Sequence, residues 1–175
     1  YLETDIKNPI NNYGLSKSLG EDNIISLNPK SIIIRTSWVY SKFGINFVKK
    51  IIDKSLTEKK IFVVDDQLSS PTYALDIIIL IKSILDSSLL KDLKNTEIYN
   101  FSNRGECSNY TFAKEIMNIN DSDTEIIPIN SEKFNSIVNR PKYSFLDTKK
   151  IENSLDIKIH DWRYSLKKFF DEKFI

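Results

Sequence analysis

Apolar residues change their spacing along the chain, and each change marks an element. Between residues 13 and 27 they fall at Leu15, Leu19 and Ile24-Ile25, a helical spacing that follows the turn formers Asn8-Pro9 and Asn11-Asn12. The helix is expected to stop before Asn28-Pro29, because a proline drives the residue ahead of it out of the helical region. Ser31-Ile32-Ile33-Ile34-Arg35 is a β-branched run without alternation, which is how a strand buried on both faces of a parallel sheet reads. Farther on, the pattern predicts helices near 45–55, 73–85, 109–119, 148–155 and 162–170, with strands near 61–64, 98–101 and 125–129. The stretch 87–95 reads as the most mobile loop.

A helix followed by a fully buried strand is half of a βαβ unit, so the chain reads as α/β and its first forty residues as the closing edge of a doubly wound sheet. The opening of such a sheet is missing from the pattern. The four glycines stand at Gly14, Gly20, Gly44 and Gly105, and none belongs to a G-x-G-x-x-G turn after a strand. No helix N-terminus is thereby offered to a dinucleotide pyrophosphate. The phosphate-binding half is expected to lie outside this chain, and the absence of an initiator methionine suggests a fragment.

Composition narrows the function more than the fold. The 175 residues, 41% of them hydrophobic, suffice for one well-buried core or two small lobes. Lys plus Arg number 25 and Asp plus Glu 24, a net charge of +1, so no global field favours a polyanion and nucleic acid is not an expected partner. A single cysteine, Cys107, excludes an internal disulfide, and with one histidine, His160, there is no Cys/His cluster to hold zinc. A reducing, cytoplasmic setting is expected. Ile77-Ile78-Ile79-Leu80-Ile81 ends at Lys82, far short of the roughly 20 apolar residues that span a bilayer, so no membrane association is expected. The acidic start, Glu3-Thr4-Asp5, is unlike a signal peptide.

Candidate chemistry sits where the first helix begins. Asn11-Asn12-Tyr13-Gly14-Leu15-Ser16-Lys17 sets a phenol and an ammonium four positions apart, on one helix face and about one turn apart. That arrangement suits proton transfer, since a fixed cation favours the ionised form of a phenol. A tyrosine snorkelling beside a surface lysine has the same spacing, so the weight comes from the company the pair keeps. His160 beside Asp161 is a weaker candidate, because adjacent residues do not face each other on a helix and no nucleophile accompanies them. Cys107 has no visible source of a lowered pKa and reads as inert.

The company consists of Arg35-Thr36-Ser37-Trp38-Val39-Tyr40, Asn46-Phe47-Val48, Asp65-Asp66-Gln67-Leu68-Ser69-Ser70-Pro71-Thr72, and Arg140-Pro141 leading to Leu146-Asp147-Thr148. In this order, behind Glu3-Thr4-Asp5 and Asn8-Pro9, the blocks resemble the C-terminal part of an extended short-chain dehydrogenase/reductase. Within that group the chain is similar to the dTDP-4-dehydrorhamnose reductase family. The resemblance runs from Tyr1 to the helix that begins at Asp161-Trp162-Arg163. R-T-S-W-V-Y and D-D-Q-x-x-S-P-T are its specific motifs, whereas Tyr-x-x-x-Lys identifies only the superfamily.

The resemblance implies the C-terminal portion of a Rossmann-like doubly wound sheet plus a small α/β substrate-binding lobe. Residues 1–40 would close the dinucleotide-binding domain, and 41–175 would mainly form the nucleotide-sugar lobe, with some segments returning to the sheet. The implied activity is NAD(P)H-dependent reduction of the C4 keto group of a nucleotide-linked 4-keto-6-deoxy sugar, with NADPH or NADH as cofactor. Tyr13 would donate the proton to the C4 oxygen, and Lys17 would hydrogen-bond the nicotinamide ribose and tune the phenol. Trp38 would lie against the deoxysugar, while Asn46 and Phe47 would meet the nucleotide-sugar, although a core position also accounts for Phe47. Asp65, Asp66 and Gln67 would either satisfy substrate hydroxyls or hold the turn before Pro71. Arg140 would pair with diphosphate oxygens, with a surface salt bridge as the competing account.

Two departures limit the match. The family's third catalytic group, a serine or threonine hydroxyl, belongs just upstream of the segment matching Tyr1, so this chain alone is not expected to turn over. Ser69 stands where the pattern usually has glycine, so the local turn is expected to differ. The rival readings are a nucleotide-sugar epimerase or bifunctional epimerase/reductase, and a non-catalytic nucleotide-binding regulatory subunit on the same scaffold. A homodimer is compatible with all of them.

Overall fold

Helices and strands interleave in the computed structural model, which describes residues 1–27, 30–133 and 138–172. The chain opens with α1 (Asn12–Leu27) and β1 (Ile32–Arg35), then turns through β2 (Val39–Tyr40) into α2 (Phe47–Ser55). β3 (Lys60–Val64), β4 (Leu68–Ser69) and β5 (Thr72–Tyr73) lead to α3 (Ala74–Asp86). β6 (Glu97–Asn100) and β7 (Cys107–Ser108) precede α4 (Asn109–Ile119), and β8 (Glu125–Ile129) precedes α5 (Lys149–Leu155) and α6 (Trp162–Asp171).

Among the described residues, three of the four strand pairs are parallel: β1 with β6, β2 with β5, and β3 with β8, the last running from Lys60↔Glu125 to Val64↔Ile129. β4 and β7 pair antiparallel. Parallel pairing requires crossovers, and the helices supply them. The four two-residue strands gave no periodic signal, because each exists only through a partner distant in sequence.

Helix placement follows capping and apolar spacing. Ser108 caps α4, its hydroxyl accepting the Thr111 N–H at 3.0 Å, and Phe112, Ala113, Ile116 and Met117 form the buried stripe. Asp161 caps α6 by accepting the Arg163 N–H at 2.9 Å, and Trp162, Ser165, Leu166 and Phe169 face inward. These stripes meet in an aromatic core centred on Phe112, whose ring lies 5.0 Å from Trp38, 5.5 Å from Tyr40 and 5.5 Å from Trp162. A second core gathers Leu80, Ile84, Tyr99, Phe101, Ile151 and Ile159 around β6. Asp76 joins the two, its Oδ2 accepting from Asn103 Nδ2 at 2.7 Å and from the Ser165 hydroxyl at 2.5 Å, so the buried carboxylate is not left without donors.

Two expectations need correction. The β-branched run Ile32–Ile34 does form a strand, but it is half-buried rather than covered on both faces, and among the described residues it pairs only with β6. α1 buries no side chain; Leu15 is 45% and Leu19 54% exposed. A sequence pattern says which faces are apolar, not whether anything covers them. The predicted stop at Asn28-Pro29 lies outside the described residues.

Because α1 lacks a buried face, charged contacts hold it. Arg35 donates from Nε to Glu21 Oε2 at 2.8 Å and from Nη2 to Glu21 Oε1 at 2.7 Å, a two-pronged pairing between β1 and α1. Nη1 of Arg35 also reaches the Glu3 carbonyl at 3.3 Å, and Lys7 adds Glu21 at 3.4 Å and Asp22. The Arg35 hydrogen bonds hold the Glu21 carboxyl below the usual carboxylate range. A depressed value means that the stabilisation is fully present above the unfolded carboxylate value of about 4.3 and drains as pH falls through the folded one. Glu21→Gln is therefore expected to weaken the docking of α1 by about 2 kcal/mol at neutral pH and to remove part of the acid sensitivity of that helix. Amide hydrogen exchange within Asn12–Leu27, followed from pH 7 downward, reads both effects.

Candidate active site

The first turn of α1 is built around Asn11, whose Oδ1 accepts the Gly14 N–H at 2.8 Å while its carbonyl accepts Leu15 N–H at 3.0 Å. This cap aims Tyr13 and Lys17 outward on one face, with Lys17 Nζ 5.4 Å from the centre of the Tyr13 ring. A cation at that distance is attracted to the ring and keeps the phenol and ammonium side by side.

Tyr13 stands on the rim of two cavities. One, of about 700 Å³, is lined by Tyr13, Trp38, Asn46, Phe47, Gln67 and Arg140 among others. The other, of about 730 Å³, holds Tyr13 and Lys17 together with Ser18 on α1 and Arg35 on β1. Tyr13, Lys17, Trp38, Asn46, Phe47, Gln67 and Arg140 each line one of the two, and Tyr13 lines both, whereas Asp65 and Asp66 line neither. Among the described residues the first cavity has no aspartate or glutamate on its wall but has Arg140 and Lys50, so its field favours an anion. Lys50 was missed because a helical lysine reads as solvated surface. Its spacing from Phe47 and Asn46, three and four residues, places it on their face of the helix and was the available signal.

Trp38 is presented by an unusual backbone. Its φ of 45° lies in the left-handed region, which a bulky residue enters only under constraint. The constraint is visible: the Trp38 carbonyl accepts the Thr72 N–H at 3.1 Å, and the indole packs edge-on against Phe47 at 5.5 Å and Phe112 at 5.0 Å. Phe47, 12° from parallel with Phe112 at 5.7 Å, therefore belongs both to the core and to the cavity wall. Asn46 is a helix cap first. Its Oδ1 accepts Lys49 N–H at 3.3 Å and its Nδ2 donates to the Ser41 carbonyl at 2.6 Å, which leaves one N–H and one lone pair for a ligand.

The D-D-Q block divides. Asp65 accepts from the Ser108 hydroxyl, and Asp66 accepts the Ser131 N–H at 2.9 Å and its hydroxyl at 2.7 Å, the hydroxyl holding Asp66 below its usual range. Both carboxylates hold turns, and only Gln67 reaches the cavity. Ser69 does not adopt a positive φ, so its strand needs no glycine there. Arg140 sits on a strap whose later part is fixed by Leu68, which donates to the Lys142 carbonyl at 2.8 Å and accepts from Ser144 N–H at 2.9 Å. Its guanidinium has no ion pair among the described residues.

The weaker candidates stay outside the site. His160 lies tilted against Tyr164, ring centres 4.4 Å apart, and Asp161 is the α6 cap. Burial pushes the Cys107 thiol up to about 12, so it remains protonated. Among the described residues there is no cluster of metal-ligating side chains, and no helix is long and apolar enough to cross a membrane.

An α/β unit with parallel strands, a tyrosine–lysine pair at a helix start and an anion-favouring cavity beside it define the class of site. The chain belongs to the RmlD substrate-binding domain family, whose profile matches residues 1–174. It is 37% identical to the spore coat polysaccharide biosynthesis protein SpsK of Bacillus subtilis, over 99% of this chain and 58% of that protein. It is also 37% identical to a dTDP-4-dehydrorhamnose reductase of Sinorhizobium fredii, over 96% of this chain and 58% of the relative. Among solved structures, the dTDP-4-dehydrorhamnose reductase of Bacillus anthracis in complex with NADP superposes with a TM-score of 0.88 at 36% identity, covering 97% of this chain and 58% of that one. The chain thus spans 58% of the length of the relatives named here.

The double role of Asn46 can be separated. Asn46→Ala is expected to lower stability by about 1 kcal/mol in urea unfolding, through loss of the α2 cap, whereas Asn46→Asp retains most of it.

Proposed function

We propose that the protein containing this chain reduces the C4 keto group of a dTDP-linked 4-keto-6-deoxy sugar at the expense of NADPH or NADH, giving dTDP-L-rhamnose from dTDP-4-dehydrorhamnose. The observation that carries this reading is the position of the Tyr13 phenol on the shared rim of two cavities, with Lys17 beside it. The relatives' names and the NADP bound to the Bacillus anthracis structure support it.

In this reading the first cavity takes the nucleotide-sugar. Trp38 and Phe47 offer aromatic surface to the deoxysugar, Gln67 and Asn46 offer amides, and Arg140 with Lys50 offers positive charge to the diphosphate. Residues 1–40, with the second core around β6, would then be the part of a dinucleotide-binding domain that this chain contributes, and the remainder mainly the sugar lobe. The second cavity suits the nicotinamide-ribose end of the cofactor, since Lys17 and the Tyr13 hydroxyl present donors to a diol and the cavity is of ligand size. The dinucleotide fingerprint is not among these residues. When bound, NAD(P)H supplies the hydride for the sugar carbon.

Tyr13 then completes the reduction by giving its hydroxyl proton to the C4 oxygen, which becomes an alcohol. Lys17 stabilises the negative charge left on the phenol oxygen, and solvent restores the proton. All the side chains named come from one chain, and a homodimer of the full-length protein is compatible with that arrangement. A reaction between a nucleotide-sugar and a nicotinamide cofactor belongs in the cytoplasm.

Tyr13→Phe in the full-length protein tests the proposal. Turnover of dTDP-4-dehydrorhamnose is expected to fall by about 10²- to 10⁴-fold, with dTDP affinity by calorimetry little changed. Binding of dTDP by the parent without any turnover would instead support a purely binding role.

A further inference from the structure

We propose that Asn11 is a positioning residue that fixes Arg140 relative to Tyr13; this rests on the reading above, in which Arg140 meets the diphosphate and Tyr13 the sugar. The amide of Asn11 works in two directions. Its Oδ1 accepts the Gly14 N–H at 2.8 Å and so caps α1, and its Nδ2 donates to the Asn139 carbonyl at 2.8 Å, across 128 positions of sequence. Tyr13 lies two residues after Asn11, and Arg140 one residue after Asn139. One planar side chain therefore spans the helix that carries the phenol and the strap that carries the guanidinium.

Position and redundancy both point to this role. Asn11, Tyr13, Pro141 and Ser144 are the residues that line both cavities, so the clasp lies where the two meet. Beyond Pro141 the strap is held independently by the two Leu68 hydrogen bonds at 2.8 and 2.9 Å. Arg140 thus sits between two anchors, and removing the Asn11 anchor frees the guanidinium without releasing the rest of the strap. Either orientation of the amide is not equivalent: only the oxygen can accept from Gly14, which commits the N–H groups to Asn139.

The two functions of the amide separate by substitution. Asn11→Ser and Asn11→Asp both supply a good helix cap, but a carboxylate has no proton to donate, and the single hydroxyl oxygen of serine, on a side chain one bond shorter than that of asparagine, does not span from the Gly14 N–H to the Asn139 carbonyl. The serine variant controls for the charge that the aspartate variant would bring near an anionic ligand. In the full-length protein both are expected to melt like the parent, to bind dTDP about three- to tenfold more weakly by calorimetry, and to show a matching rise in KM for the nucleotide-sugar with kcat nearly unchanged. In an Arg140→Ala background the Asn11→Ser change is expected to have no further effect on dTDP affinity, because the residue it positions is gone.

Parent-like dTDP affinity in Asn11→Ser, or a loss that persists in full without Arg140, would overturn the proposal and leave Asn11 a helix cap only. If the parent binds dTDP but reduces no 4-keto sugar, the reductase reading fails while the dTDP affinities still decide the clasp. If the parent does not bind dTDP, both fall.

Discussion

The pairing of Arg35 with Glu21 is the constraint on which the arrangement of this chain depends. Most helices in globular proteins are held by an apolar stripe, as α4 and α6 are here. α1 buries no side chain among the described residues, yet it carries the phenol and the ammonium. Its place over β1 is set by two charge-assisted hydrogen bonds at 2.7 and 2.8 Å and by the neighbouring Lys7 contacts. Such bonds are directional where apolar contact is not, so they specify the rotation of the helix about its axis as well as its distance. That rotation decides whether Tyr13 faces the cavities.

The other side of the site is organised on the opposite principle. Trp38 and Phe47 are pressed into place by Phe112, a fully buried ring shared with Tyr40 and Trp162. The wall that would receive a sugar is continuous with the hydrophobic core, so its shape is as well determined as core packing can make it. One flank of the cavity is therefore set by rigid packing and the other by polar clasps, with Tyr13 on the polar side.

Much of this was legible in the sequence, and the limits are physical. α4 and α6 announce themselves by a cap residue followed by an apolar stripe, both local signals. Tyr13 and Lys17 are found by a spacing of one helical turn. The block between Asp65 and Gln67 could be flagged but not apportioned, because which carboxylate turns toward Ser108 or Ser131 depends on residues 43 and 65 positions away. The short strands β2, β4, β5 and β7 and the link from Asn11 to Asn139 are invisible for the same reason. The openness of α1 and β1 marks a different limit: a run of isoleucines reveals an appetite for burial, while its satisfaction depends on what else is present.

The backbone at Trp38 has a consequence beyond shaping a wall. A residue held at φ 45° by its neighbours is a cocked latch, since the peptide itself would relax to an extended conformation if the surrounding rings loosened. Because the rings around position 112 are the core itself, the latch should be released only when that core melts. The indole's presentation and the fold should therefore be lost in a single step on heating.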